Sequence, residues 1–461
     1  MRRQFCLSLA VAVMLAAPAT DISAAAPATE APKTPAVRPD AIPDREETLS
    51  ILRRSASAEV ARLKGIEDGA APRRFGVSTN WISATFFVGA MKLTQTTDAP
   101  DVLDYGLSTA RRFNYGHQGD GAPVHLINAD DQAIGDLYQA IYLHTGSPGT
   151  LLPLKQRLDY TLPYLTLSPQ PKKLVWWWCD SLFMAPPVLA RMSAITGDPK
   201  YIQAMDVQWW RTYERLYDTE QHLYARDERF IERRSPNGKK IFWARGEGWV
   251  LAGLARVLEV MPEDFPTRPR YIALYREMAA RIASLQQADG LWRSSLLDPD
   301  AFPEPETSGT AFYTYALAFG INHGILERDK YLPHVLKGWA GLNQYVLPSG
   351  ILGQVQSAGD QPVPTRRETT ALYASGGFLL AGLEVANLGR PVSALPIKLP
   401  EPAQLQYHAS DMRPTVIPAN ATPEQLKELA RREAEREAVK LLAFDPMVDD
   451  PAYISPVAAK R

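Results

Sequence analysis

Hydrophobic and polar positions along this chain sort into two alternating kinds of segment. One kind is apolar nearly all round over the length of a helix: "NWISATFFVGAMKLTQTTD", "DDQAIGDLYQAIYLHTG", "CDSLFMAPPVLARMSAITGD", "GEGWVLAGLARVLEVMPED", "TSGTAFYTYALAFGINHG" and "TTALYASGGFLLAGLEVANLG". Each opens on polar or aromatic residues and closes near a Gly or Asp. A helix without a wet face is a buried helix. Between them lie amphipathic stretches such as "PKYIQAMDVQWWRTYERLY" and "RYIALYREMAARIASLQ", which keep one polar face and suit an outer layer. The landmarks Trp81, Asp131, Asp180, Trp249, Thr307 and Thr369 recur roughly 50 to 70 residues apart, as helix-hairpin repeats do. Strand-like alternation is scarce. The pattern predicts an all-α fold, an (α/α)6 barrel over residues 46–392 with six inner and six outer helices. An inner set this apolar favours a closed ring over an open helical solenoid.

The flanks read differently. Arg2 and Arg3, the apolar "FCLSLAVAVMLAA" and the small residues of "ISAAA" predict a secretory signal over residues 1–25, with an uncleaved anchor as the alternative. The expectation is an exported, periplasmic bacterial protein that meets no membrane after cleavage. Residues 26–45 are rich in Ala and Pro and predict a flexible leader. Residues 393–461 form a Pro-rich segment followed by a charged helix, with Thr422 as N-cap, Pro423 at the first helical position and Gln425 completing a capping box.

Composition changes this picture in three places. A net charge of −1 supplies no basic field for nucleic acid. Of the two cysteines, Cys6 lies in the signal, so Cys179 has no partner for an internal disulfide and reads as a small buried residue. The seven histidines show no HExxH and no i, i+4 pair, so neither a metal nor a cofactor is indicated.

Six parallel inner helices bring their N-termini to one end, where helix-dipole positive poles favour an anionic ligand. That end collects Trp81, Asp130, Asp131, Trp178, Asp180, Arg245, Glu247 and Trp249. Carboxylates among aromatics in an open cup suit a sugar: rings pack on sugar faces and acids move protons. Asp180, beside Trp178, Phe183 and Met184, is placed to be desolvated and to keep its proton as a general acid; the other reading is an N-cap without chemistry. Asp130 and Asp131 open the preceding inner helix, one as cap and one facing the cup, or both as caps. In "WARGEGWV", Arg245 and Trp249 share a helical face. Arg245 either grips a substrate carboxylate or pairs internally with Glu247 or an aspartate.

"NADDQAIG", "WWWCDSLFMAPP", "WARGEGWV" and "ETSGTAFYTYAL", in this order over roughly residues 50 to 390, resemble glycoside hydrolase family 105, the unsaturated rhamnogalacturonyl hydrolases, relatives of the unsaturated glucuronyl hydrolases of family 88. The resemblance implies an (α/α)6 barrel. It also implies an enzyme that removes a terminal Δ4,5-unsaturated uronate from polysaccharide-lyase products by hydrating its C4=C5 vinyl ether. It makes Asp180 the proton donor to C4, Trp178 and Met184 its flanking residues, Arg245 and Trp249 substrate contacts, and Asp130 or Asp131 the second acid. The partner so implied is an oligosaccharide carrying that uronate at its non-reducing end. Two departures leave the uronate and its neighbouring sugar open: Arg226 in "LYARDERF" stands where some members have a histidine, and Glu247 where an asparagine is common. The alternatives are an inverting glycosidase acting on saturated oligosaccharides and a non-catalytic oligosaccharide-binding protein.

Overall fold

The structure is a computed structural model, and it describes residues 38–72, 76–117, 125, 127–166, 174–390, 422–424 and 427. The signal, most of the leader and most of the region after 390 lie outside the described residues. Of the charged tail helix, Pro423, Glu424 and Lys427 are helical and exposed.

Helices dominate. In chain order they are α1 (Arg45–Glu67), α2 (Trp81–Thr96), α3 (Pro100–Arg112), α4 (Ala129–Gln132), α5 (Gly135–Thr145), α6 (Leu152–Thr166), α7 (Ser181–Met184), α8 (Pro186–Thr196), α9 (Lys200–Leu216), α10 (Ala244–Val260), α11 (Arg268–Ser284), α12 (Thr307–Asn322), α13 (Arg328–Asn343) and α14 (Leu372–Ala386). Two short antiparallel ribbons, β1 (Tyr217–Asp218) with β2 (Leu223–Tyr224) and β3 (Trp292–Arg293) with β4 (Pro305–Glu306), decorate the loops.

The inner ring runs α2, α4–α5, α7–α8, α10, α12, α14, and α14 packs back on α2. The ring is therefore closed, as the all-apolar segments predicted. Every residue of α12 and of α14 is buried, whereas α9 in the outer layer keeps Gln203, Val207 and Glu214 outside. Closure is tight enough to dictate glycine. A Cβ on Gly376 of α14 would lie 2.1 Å from the Thr85 carbonyl oxygen of α2, so only glycine permits that approach. The first outer helix completes the seal, because buried Glu59 of α1 accepts from Ser375 Oγ of α14 at 2.6 Å and from Arg62 Nε at 2.7 Å.

Two inner helices are not continuous, contrary to the simple repeat. The second is split into α4 and α5, where Gly135 fits under Leu154 and Val188 with room for no side chain. The third is split into α7 and α8, because Pro186 and Pro187 lack the N–H groups that would continue the helix. The last inner helix opens at Leu372, so the landmark Thr369 precedes it in a loop.

Candidate active site

Asp180 stands immediately before α7 with helical backbone angles, and its carboxyl makes no capping bond. It is turned instead toward Arg226, whose Nε donates to Oδ2 at 3.2 Å; the Cys179 thiol donates to the same oxygen at 3.6 Å. Asp180 is 7% exposed. Burial raises its carboxyl pKa, the Arg226 charge pulls back part of the rise, and the net position stays above the usual carboxylate range. Arg226 comes from the segment after β2. That segment is stitched along the tryptophan run by the Cys179 N–H donating to the Arg226 carbonyl at 2.8 Å and by antiparallel pairing of Trp178 with Asp227. Arg226 Nη1 donates to Asp227 at 2.8 Å, and the guanidinium lies 5.6 Å over the Trp177 ring.

Asp130 and Asp131 separate cleanly. Asn128 is the N-cap of α4, its side chain accepting from the Asp130 N–H at 2.9 Å, so neither aspartate is needed as a cap. Asp131 is buried and its Oδ2 lies 2.6 Å from His125 Nδ1. Asp130 is half-buried and its carboxylate accepts no hydrogen bond from the described residues. Its pKa is pushed up to about 7, first by burial and then by the charges of Asp180 and Asp131. Asp130 thus shares a field with Asp180 and Arg226.

The remaining predicted site residues fall into two groups. Trp81 is half-buried and stacks on Tyr373 with centroids 5.4 Å apart, forming an aromatic shelf at the mouth. Trp249 is fully buried beneath it, edge-on to Trp81 at 6.0 Å and packed on Phe183 at 4.8 Å and Phe312 at 4.5 Å. It is the floor of the shelf. Met184 is likewise buried.

Trp178 does not face the cup either. Trp176 and Trp178 are buried, and Trp177 is the half-buried indole under Arg226, its ring 4.8 Å from that of Trp178.

Arg245 is fully buried between the Trp243 and Tyr373 rings, 4.4 and 4.8 Å from their centroids. Its Nη1 donates to the Gln356 carbonyl at 3.0 Å and its Nη2 to the Ser357 carbonyl at 2.8 Å. It therefore does not pair with Glu247; it holds the 356–357 loop, and its charge acts on Asp180. Glu247 is also fully buried, and its Oε1 accepts the Tyr224 N–H at 2.8 Å. Burial pushes its carboxyl well above the ordinary value. It braces β2, upstream of Arg226, rather than touching a ligand. In the "ETSGT" motif Glu306 caps α12, accepting from the Ser308 and Gly309 N–H groups at 2.9 and 2.7 Å.

Sequence reasoning passed over Trp177, Asp227, Tyr373 and Gln356. No signal within the tryptophan run singled out Trp177. None was available for Gln356, which reaches Arg245 from a loop 111 residues away. Among the described residues no group of three His, Cys, Asp or Glu is placed to hold a metal ion.

A half-open acid, a desolvated acid and one arginine between them, beside exposed faces of Trp81 and Trp177, form an arrangement suited to an anionic sugar. The family model described as Glycosyl Hydrolase Family 88 matches residues 58–388. The chain belongs to glycosyl hydrolase family 88. The chain is 39% identical over 346 residues to a protein of Formosa agariphila named unsaturated 3S-rhamnoglycuronyl hydrolase, a match covering 72% of this chain and 90% of that one. A protein of the same name from Alteromonas sp. (strain LOR) is 35% identical over 321 residues, covering 66% of this chain and 77% of that one. Among solved structures, a glycosyl hydrolase family 88 protein from Bacteroides vulgatus superposes with a TM-score of 0.67 at 29% identity, covering 75% of this chain and 99% of the other. The family 88 chain is thus a glycoside hydrolase on a helical barrel.

Proposed function

We propose that this family 88 enzyme removes the terminal Δ4,5-unsaturated uronate from oligosaccharides left by a polysaccharide lyase, through hydration of the C4=C5 double bond. The observation that carries the proposal is the desolvated carboxyl of Asp180, its pKa raised by burial, in hydrogen-bond contact with the Arg226 guanidinium. The shared name of the two relatives supports a uronate linked to rhamnose.

The substrate's own carboxylate, conjugated to the double bond, needs a cation. Arg245 is committed to loop carbonyls, whereas the Nη2 of Arg226 makes no hydrogen bond to the described residues. A uronate carboxylate on Arg226 draws that charge away from Asp180. The Asp180 pKa then rises further, and its proton is held until C4 needs it. Asp180 protonates C4, a water adds at C5, and the water's second proton passes to a carboxylate at the mouth, for which Asp130 is placed. The hemiketal opens to a C5 ketone, and the hemiacetal left at C1 releases the shortened oligosaccharide. One water is consumed in all. Trp81 and Trp177 offer faces to the sugar rings.

The enoate absorbs in the ultraviolet and its hydration product does not. The test is to follow that absorbance on lyase-digested rhamnose-containing glycuronans, with the saturated glycoside in parallel. The proposal requires loss of absorbance on the first and no cleavage of the second. Cleavage of the saturated glycoside supports an inverting glycosidase instead, and binding without turnover a sugar-binding protein. Export to the periplasm belongs to the same proposal and rests on the residue 1–25 pattern; N-terminal sequencing of the protein recovered from periplasmic extract tests it.

A further inference from the structure

The double proline after α7 leaves a specific debt in the backbone. In a continuous helix the carbonyls of Leu182 and Phe183 would accept from the N–H groups four residues on, at 186 and 187. Both positions are proline, so neither donor exists. The Leu182 oxygen lies against Gly253 of α10, where a Cβ would come within 2.3 Å. The Phe183 oxygen has a different fate. It accepts from Nη1 of Arg256, also on α10, at 2.7 Å.

Arg256 is 2% exposed and well anchored. Its Nη2 donates to Oδ2 of Asp136 on α5, and Oδ1 of the same aspartate accepts from Arg191 of α8 at 2.8 Å. The guanidinium also lies 4.3 Å from the centroid of the Phe183 ring. Residue 183 is thus gripped twice, by its carbonyl and by its ring. Its own N–H donates to the Asp180 carbonyl at 3.0 Å. The four-residue helix between the acid and the prolines has no length of its own to keep it in place. Among the described residues, Asp136, Arg256 and Arg191 make no hydrogen bond or ion pair with Asp130, the Asp180 carboxyl or Arg226.

We infer that Arg256 is a positioning residue for Asp180: it replaces the backbone donor that Pro187 removes, and so fixes the turn that aims the acid. The inference rests on Asp180 being the proton donor proposed above. A four-residue helix released at one carbonyl lets the carboxyl shift by a fraction of a helical turn, and misplacement of about 1 Å costs about 100-fold in rate. Arg256 touches no substrate, so binding is spared.

The test compares Arg256→Met with Lys92→Met. Lys92 sits in the neighbouring buried ion cluster, bonded to Glu259 at 2.9 Å and Glu384 at 3.2 Å, with no contact to α7. Both variants lose a cation that pairs with buried carboxylates, Arg256 itself buried and Lys92 half-buried, so their kcat values are compared at matched stability. On the lyase product, Arg256→Met is expected to lower kcat about 100-fold with KM within about 2-fold, and Lys92→Met to keep kcat within about 2-fold of wild type. Adding Pro187→Ala to Arg256→Met restores a backbone N–H for the Phe183 carbonyl and recovers about 10-fold or more of kcat. Arg256→Lys, which keeps the charge opposite Asp136, is the fallback if the methionine variant does not fold, with a smaller kcat loss and unchanged KM. Amide hydrogen exchange at Ser181–Met184 reads the same inference without substrate: it quickens in the Arg256 variants and not in Lys92→Met. Equal kcat losses in the two methionine variants at equal stability, or unchanged exchange at Ser181–Met184, overturn the role. Absence of turnover by the wild type overturns the proposed function instead, and the exchange result still decides the role of Arg256.

Discussion

The two ends of the inner ring use the same kinds of residue to opposite effect. Away from the mouth, Lys92, Arg191 and Arg256 stand against Asp136, Glu259 and Glu384. Burial alone would raise Glu259, but Lys92 and Arg191 hold it below the ordinary carboxylate value. At the N-terminal end, Asp130 and Asp180 at the mouth and Glu247 beneath it are all raised, burial leading in each case, and among the described residues Arg226 is the one cation bonded to any of them. Matched charges fasten helices together. Unmatched ones store protons, which is how a barrel of ordinary side chains acquires chemistry at one end only.

The largest expected effect breaks the mouth. Asp180→Asn keeps the volume and removes the proton donor, so turnover falls about 10³- to 10⁴-fold while the circular dichroism spectrum stays that of the wild type. At the opposite end the consequence is stability. Lys92→Met takes the lysine partner from Glu259 and Glu384, leaving them Arg191 and Asn322, and lowers the unfolding free energy by about 3 kcal/mol in denaturant titration, with kcat retained.

Asp130 sharpens the contrast through pH. Its folded pKa of about 7 lies above the unfolded value of 3.8, so the folded state holds the extra proton and stability falls as pH rises from about 4 to about 7. Asp130→Asn removes that loss. It is expected to stabilise the protein at pH 8 by roughly 1–2 kcal/mol, after solvent screening of a half-buried group, and by nothing measurable at pH 3. Arg226 lowers the Asp180 pKa. Activity requiring a protonated Asp180 is lost as pH rises through that pKa, and Arg226→Met therefore moves the alkaline limb of the kcat profile to higher pH, while KM for the anionic substrate rises. The smallest effect belongs to Glu247. Gln keeps the acceptor for the Tyr224 N–H and replaces a carboxyl whose ionised form burial already disfavours, so Glu247→Gln changes stability by no more than about 0.5 kcal/mol.

The barrel was legible because burial writes itself along a helix: segments without a wet face can only be an inner ring, and α12 and α14 are buried at every residue. The location of the cup followed from the shared direction of those helices, and Asp180 from its apolar company. What the sequence hid were partners brought from a distance. Arg245 looked like a free cation because Gln356 and Ser357, which occupy it, lie more than a hundred residues on. Trp249 and Glu247 looked like mouth residues because helical phase alone gives no depth. Asp130 and Asp131 were inseparable as neighbours until His125 was seen on the second. The split at Pro186–Pro187 was written in the sequence, but its consequence for the acid needed Arg256 in place.

The most direct test of the central claim, that a desolvated Asp180 hydrates an unsaturated uronate, is the ultraviolet absorbance of a lyase-made oligosaccharide incubated with wild type and with Asp180→Asn at equal folded concentration. The account predicts that the absorbance decays with the wild type and persists with the variant. Decay at the same rate with both, or persistence with both while sugar is released, would contradict it.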